Sequence, residues 1–220
     1  MKTGKKGLWE PLWYALYAFA GLGLELLLAG VIEPLWTKGK GFSQYTAGES
    51  ILHWVLTVLC WLGMMLWLVR ASQKHLGFDP LARGNKGKVQ WIWAWVLTIG
   101  CVLLNAMDWG TLKILGEWQR KGPWLFWFQY LYYLAEVGLV FLIVAFGQKW
   151  GEGLLGKKTV FPFGGLVLCC TWGMIHIFSQ GSLYTGAGIM AFSLCYGGIY
   201  LLLGRDGLKS YGMIALAFLL

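Results

Sequence analysis

The chain has 220 residues, of which 58% are hydrophobic and 13% are charged. A soluble domain carries about 25% charged residues, so this composition excludes an ordinary water-soluble enzyme and leaves no room for a sizeable soluble domain. The net charge of +8 does not imply nucleic acid, because basic residues in short loops also orient helices in a bilayer.

Apolar segments long enough to cross a membrane, roughly 20 residues each, set the organisation. They fall at about 8–36, 51–70, 90–109, 123–147, 160–180 and 185–204. A shorter segment, "LKSYGMIALAFLL" at 208–220, is a half-helix, a surface segment or a shortened last span. The expected fold is therefore all-α, a polytopic transmembrane bundle of six to seven spans forming one domain over 1–220. Trp 15, Phe 12, Tyr 10 and Gly 32 fit that class, since spans use more Gly and aromatic residues gather at the interface.

The first segment begins with the basic "MKTGKKG" but runs well past a signal-peptide apolar core, contains Glu25 and has no following small-residue cleavage site. It reads as a retained span. With the N-terminus inside and seven alternating spans, all 18 basic residues except Lys38, Lys40, Lys113, Arg120 and Lys121 lie on the inner side. Lys2 and Lys86 are among the inner ones. This bias predicts a multi-pass cell-membrane protein with a cytoplasmic N-terminus. The longest loop, 71–89, is basic and contains Gly and Pro. It suits a partner protein or anionic lipid headgroups.

The five cysteines all lie in apolar segments without a CxxC pair. They read as small packing residues rather than a disulfide framework or a zinc site. No HExxH, P-loop, dinucleotide-binding or GxSxG pattern occurs. No metal and no cofactor are therefore expected, and no nucleic-acid partner.

Polar residues inside the apolar segments are costly and mark function by default. They are Glu25, His53, Asn105, Asp108, Gln129, Glu136 and His176. Glu25 lies on a stripe with Ala18, Gly21 and Ala29, small residues that admit a neighbouring helix. Gln129, Tyr132, Tyr133 and Glu136 share one helical face, and His176 shares another with Gly165, Cys169, Trp172 and Gly173. Glu25, His53, Asn105, Glu136 and His176 lie 12 to 17 residues from the inner ends of their segments. That spread is about 7.5 Å of axis at ~1.5 Å per residue. One polar layer containing all five, with Gln129 and Trp172 beside it, is thus expected to bind a peptide or small-molecule ligand. The structural alternative for each residue is a hydrogen-bonded group that only holds helices together, and His53 also fits an interfacial residue at the start of its helix.

The order of parts in 125–220 carries a resemblance. A Glu-bearing span, "YYLAEVGLVFLIVAFGQ", precedes a short basic loop and a span ending "TWGMIHIF". Then follow the Gly-rich "GIMAFSLCYGGIYLLLGRDG" and a short apolar segment. This resembles the core of the CPBP (CAAX protease and bacteriocin-processing, or Abi) intramembrane endopeptidases, which carry EExxxR, FxxxH and HxxxN or HxxxD on successive helices. The resemblance implies a metal-independent peptidase in which Glu136 and His176 activate water and a third motif helps hold the oxyanion. Three positions depart from the pattern. Val137 replaces the second acid, Phe141 replaces the Arg, and the last segment has neither His nor Asn. A catalyst lacking one oxyanion donor loses on the order of 10²–10³ in rate, so a catalytically degenerate member is also implied. Two further classes stay open from the residues alone. One is a small-molecule transporter or substrate-binding membrane subunit; the other is a structural or interaction protein whose polar layer is glue. Membrane lipids are the one partner expected in every case, and the sequence leaves the oligomeric state open.

Overall fold

The computed structural model describes residues 5–85 and 87–220. Lys2 and Lys86, counted in the charge bias, lie outside the described residues. The elements are α1 Lys5–Leu22, α2 Leu24–Leu27, a π-helical turn Leu28–Ile32, α3 Pro34–Thr37 and a 3₁₀ turn Phe42–Gln44. Then come α4 Ala47–Leu76, α5 Lys88–Trp109, α6 Lys113–Leu155, α7 Phe163–Leu168, a second π-helical turn Cys169–Gly173, α8 Met174–Gln180, α9 Leu183–Leu202 and α10 Gly207–Leu219. No strand occurs among the described residues. Six helical stretches are long and apolar enough to cross a membrane, and α10, with 13 residues, is shorter. The chain is an all-α helical bundle.

Local chemistry sets the ends. Thr46 and Glu49 form a reciprocal capping box at the start of α4, with Thr46 N donating to Glu49 Oε2 at 2.7 Å and Glu49 N to Thr46 Oγ1 at 3.3 Å. Gly77, with φ 57°, closes α4 in the left-handed conformation that glycine adopts without strain. Within α6, Gly122 (φ 73°) breaks the helix and Pro123 restarts it, because proline cannot donate to the preceding turn but suits a first helical position.

The long arm of α6 is the centre of the bundle. Every residue from Val137 to Gln148 is buried, as expected of a helix that is apolar all round and enclosed on every side. It packs against α1 and α4 on one flank and α7 and α10 on the other, while α9 covers α7, α8 and α5. Small residues permit the tightest crossings. A Cβ added at Gly197 would stand 2.6 Å from the Gly165 backbone nitrogen, so α7 and α9 touch through their backbones.

At the end of the bundle holding the α4–α5 and α9–α10 connections, polar groups are locked together. Glu152 accepts from Arg205, Gln148 Nε2 (3.1 Å) and Thr159 N (3.2 Å), and Arg205 also donates to the Thr159 carbonyl at 2.9 Å. Asp206 caps α10 by accepting from Lys209 N at 3.0 Å, and its other oxygen accepts from Gly84 N at 3.2 Å. Burial opposes ionisation of Asp206, but the Lys209 N–H, the Lys209 ammonium and the Gly84 N–H outweigh it and hold the carboxyl below its ordinary range. Gly207 N donates to Ala82 O at 3.0 Å. The basic loop is thus docked at Ala82 and Gly84 onto the α9–α10 turn.

Candidate functional site

The polar residues of the spans gather in two clusters that meet on α6. The first is built by α2, the π-helical turn after it and the start of α4. In an uninterrupted α-helix, residue 33 would lie about 80° around the axis from residue 25. The π turn at Leu28–Ile32 accommodates one extra residue and removes roughly 100° of that phase. Glu25 and Glu33 therefore reach the same imidazole. His53 Nδ1 is 2.7 Å from Glu33 Oε1, and His53 Nε2 is 3.2 Å from Glu25 Oε1. Both remaining carboxylate oxygens are also used. Tyr45 donates to Glu33 Oε2 at 2.7 Å, and Tyr132 donates to Glu25 Oε2 at 2.9 Å.

Burial grades outward through this cluster. The Glu33 side chain is 1% exposed, His53 4% and Glu25 25%. Each ring nitrogen faces a carboxyl oxygen, so the set holds together either with both nitrogens donating or with one carboxyl donating to the ring. Phe42 and Tyr45 flank the ring, with centroids at 4.9 and 6.1 Å. Burial, then the Glu33 carboxylate beside it, pushes the Tyr45 phenol above its ordinary pKa, which keeps the hydroxyl a donor.

The second cluster joins α6 to the span formed by α7, the second π turn and α8. Trp172 lies in that π turn. Its Nε1–H donates to Glu136 Oε1 at 3.2 Å. Its backbone carbonyl lies 2.6 Å from His176 Nδ1, and the two rings are 4.7 Å apart. A carbonyl only accepts, so Nδ1 carries a proton, and Nε2 makes no hydrogen bond among the described residues. Glu136 Oε2 accepts no hydrogen bond among the described residues. No direct hydrogen bond links Glu136 with His176; both are anchored on Trp172.

Lys113 closes this cluster from the side. Its ammonium stands 4.7 Å from the Tyr133 ring centroid and 4.5 Å from that of Phe218, and donates to the Phe218 carbonyl at 3.1 Å. Its backbone N–H donates to Leu220 O at 3.0 Å, and the Tyr130 hydroxyl to Leu219 O at 3.2 Å. The last carbonyls of α10 thus receive a cation and two further donors, the arrangement a helix C-terminus favours. Phe218 in turn packs on Trp172, with ring centroids 5.9 Å apart.

Among the residues singled out from sequence, Glu25 and His53 bond to each other, and Glu136, Trp172 and His176 are joined through Trp172. Tyr132 and Glu136, one turn apart on α6, bring the two clusters together. Gln129 is buried one turn before Tyr133 and donates to its hydroxyl at 2.5 Å. Asn105, half-buried on α5, forms no hydrogen bond with either cluster. Asp108 is exposed. The layer is therefore narrower than five spans. Glu33, Tyr45 and Lys113 belong to it without having been singled out. Glu33 was hidden by the phase that the π turn corrects, and Lys113 reads from sequence as a loop cation. Among the described residues, no group of three His, Cys, Asp or Glu side chains is arranged to hold a metal ion. In the Glu33–His53–Glu25 set the donor atoms point at one another rather than at a common centre.

Helices of this length and polarity, arranged around a central helix buried from Val137 to Gln148, define an integral, multi-pass membrane protein of the all-α class. Comparison of the chain with protein-family models, with curated proteins and with solved structures finds no match to any of them.

Proposed function

We propose that this membrane protein acts as a divergent CPBP-like intramembrane peptidase, with Glu136 and His176 activating a water for attack on a peptide bond. One observation carries the reading. Two successive spans deliver a carboxylate and an imidazole to the same tryptophan, and each keeps one proton-accepting atom, Glu136 Oε2 and His176 Nε2, free of protein partners. That is what general-base catalysis needs. Water adds through oxygen to the carbonyl carbon and gives up a proton to this pair. The C–N bond then breaks, the proton passes to the leaving nitrogen, and a carboxylate and an amine remain. The family's third motif is missing from α10. In its place the Lys113 ammonium, held at the end of α10 near Trp172, supplies the positive charge that a developing oxyanion requires. The cytoplasmic N-terminus inferred from the basic residues puts this cluster nearer the outer face.

A second reading, a ligand-binding or transport protein, is favoured by one feature. A cavity of about 480 Å³ opens beside Glu25 and His53 and not beside Glu136. The two are separated by reconstituting the protein in liposomes with fluorogenic transmembrane peptides and analysing products by mass spectrometry in ¹⁸O-labelled water. The peptidase reading expects one labelled oxygen per new carboxyl. It also expects Glu136→Gln and His176→Ala each to lower the rate on the order of 10²-fold or more. Unchanged cleavage by well-folded variants, or none by the wild type, removes it.

A further inference from the structure

The cavity that favours the second reading is itself a built site of mixed charge. Its more buried lining, the floor, is His53 (4% exposed) and Glu25 (25%); Phe42 and Trp54 also line it; its basic lining, the rim, is Lys121 and Arg120, the latter 58% exposed. Glu25 is 25% exposed, against 4% for His53 and 1% for Glu33, and a carboxylate that already accepts from two donors still has lone pairs to offer. At the rim, Lys121 pairs with no carboxylate among the described residues and rests its ammonium 5.3 Å from the Trp54 ring centroid. Arg120 is paired with Glu117 through one terminal nitrogen, at 2.8 Å. Ser50 also lines the cavity. A fitting ligand therefore carries an anionic oxygen group for the rim and a hydrogen-bonding cation for the floor.

The position of the cavity narrows the source. Trp118, Trp124 and Trp127, on the same stretch of α6 as Arg120 and Lys121, are 43%, 76% and 60% exposed. Exposed tryptophans at the end of a span mark the level of the lipid headgroups. A phosphate at that depth is supplied by the bilayer, and Lys and Arg side chains beside it bind it through charge-assisted hydrogen bonds. The Glu25 floor selects further. A primary ammonium donates hydrogen bonds to a carboxylate, whereas a quaternary one cannot and a glycerol headgroup brings no positive charge.

We propose that this cavity is a binding site for an aminophospholipid headgroup, its phosphate on Lys121 and Arg120 and its primary ammonium on Glu25. The site is independent of the peptidase reading, since neither Glu136 nor His176 lines it.

The test places the full-length protein in nanodiscs with equal parts of phosphatidylethanolamine, phosphatidylcholine and phosphatidylglycerol, and identifies the retained lipid by native mass spectrometry. Phosphatidylethanolamine is expected to be retained over the other two on the order of tenfold, the discrimination of one charge-assisted hydrogen bond. Lys121→Ala should reduce retention by a similar factor, with the unfolding temperature unchanged, and Lys121→Arg should keep most of it. Glu25→Gln should abolish the preference for ethanolamine over choline. Because that change touches His53, it is judged only if the variant's unfolding temperature shows it folded; Lys121→Ala decides otherwise. Equal retention of all three lipids, preference for phosphatidylglycerol, or full retention by Lys121→Ala overturns the proposal. Soluble phosphoethanolamine separates the sources. It is expected not to displace the lipid at millimolar concentration, and displacement there would make the ligand a soluble amino-phosphate instead.

Discussion

The two halves of the polar layer solve the same physical problem in opposite ways. In the Glu33–His53–Glu25 half, both imidazole nitrogens and all four carboxylate oxygens have partners. In the Glu136–Trp172–His176 half, each ionisable side chain makes one hydrogen bond and keeps one atom free. Inside a membrane an unsatisfied polar atom is expensive. The first half lowers that cost by saturation and so behaves as structure. The second leaves valence unused in a partly open setting, which is the state a reacting group must be in before its substrate arrives. The deeper pair, Glu33 and His53, is thus the poorer catalytic candidate, and the less satisfied Glu136 and His176 the better one.

The sharpest way to break this contrast is to remove a saturating partner. Glu33→Ala removes the partner of the buried His53 Nδ1 and of the half-buried Tyr45 hydroxyl. Breaking a buried, hydrogen-bonded ionic pair from one side costs about 3–5 kcal/mol. We expect a stability loss near the lower end, about 3 kcal/mol, because Glu25 still holds the ring. Thermal unfolding in a fixed detergent measures it. A loss below about 1 kcal/mol, the worth of an ordinary hydrogen bond, would show that the saturated half is not structural.

Tyr132→Phe comes next. It removes the one donor that ties Glu25 to α6 and leaves the ring packed on Trp61, 4.8 Å away. A hydrogen bond to a charged group contributes about 1.5–3 kcal/mol, and Glu25, being 25% exposed, can recover part of the loss from water. We expect about 1.5 kcal/mol. If the loss matches that of Glu33→Ala, the two halves form one cooperative unit and the contrast between them fails.

Trp172→Phe probes the other half. It deletes the N–H that Glu136 accepts and keeps most of the packing against Phe218 and His176. Hydrogen bonds between membrane helices average about 0.6 kcal/mol, so stability should fall by about that amount. Activity should fall much further, because Glu136 loses its only positional restraint from the neighbouring span. A variant that is strongly destabilised but fully active would reverse the assignment of roles.

How much of this was legible in the sequence follows from what each residue depends on. The spans were readable because hydrophobicity over some 20 residues is a property of the segment itself. Glu136, Trp172 and His176 were readable because a carboxylate and an imidazole at those places cannot be buried without cause. The link between Glu136 and Trp172 could not be read, since it joins two helices. Nor could Glu33, whose phase depends on a π turn, or Lys113, whose side chain folds back from the start of α6 onto the end of α10. Counting depth from the span ends was too coarse a tool. It put Asn105 in the same layer because depth fixes height along the bundle axis and says nothing of the direction around it.

Asn105 is accordingly the smallest and most discriminating test of the boundary. By residue count it falls at the height of the layer; in the structure it is half-buried on α5 and makes no hydrogen bond with either cluster. α5 packs chiefly on α9 and α10, with little contact to α6, the helix that carries Glu136. Substitutions away from buried networks stay within about 0.5 kcal/mol. Asn105→Ala should therefore leave stability within that range and activity unchanged, measured beside Trp172→Phe in the same membrane preparation. A marked fall in activity would mean that α5 closes onto the cluster when substrate binds. The layer would then include a third wall, and the division into a saturated half and an open half would hold only for the resting protein.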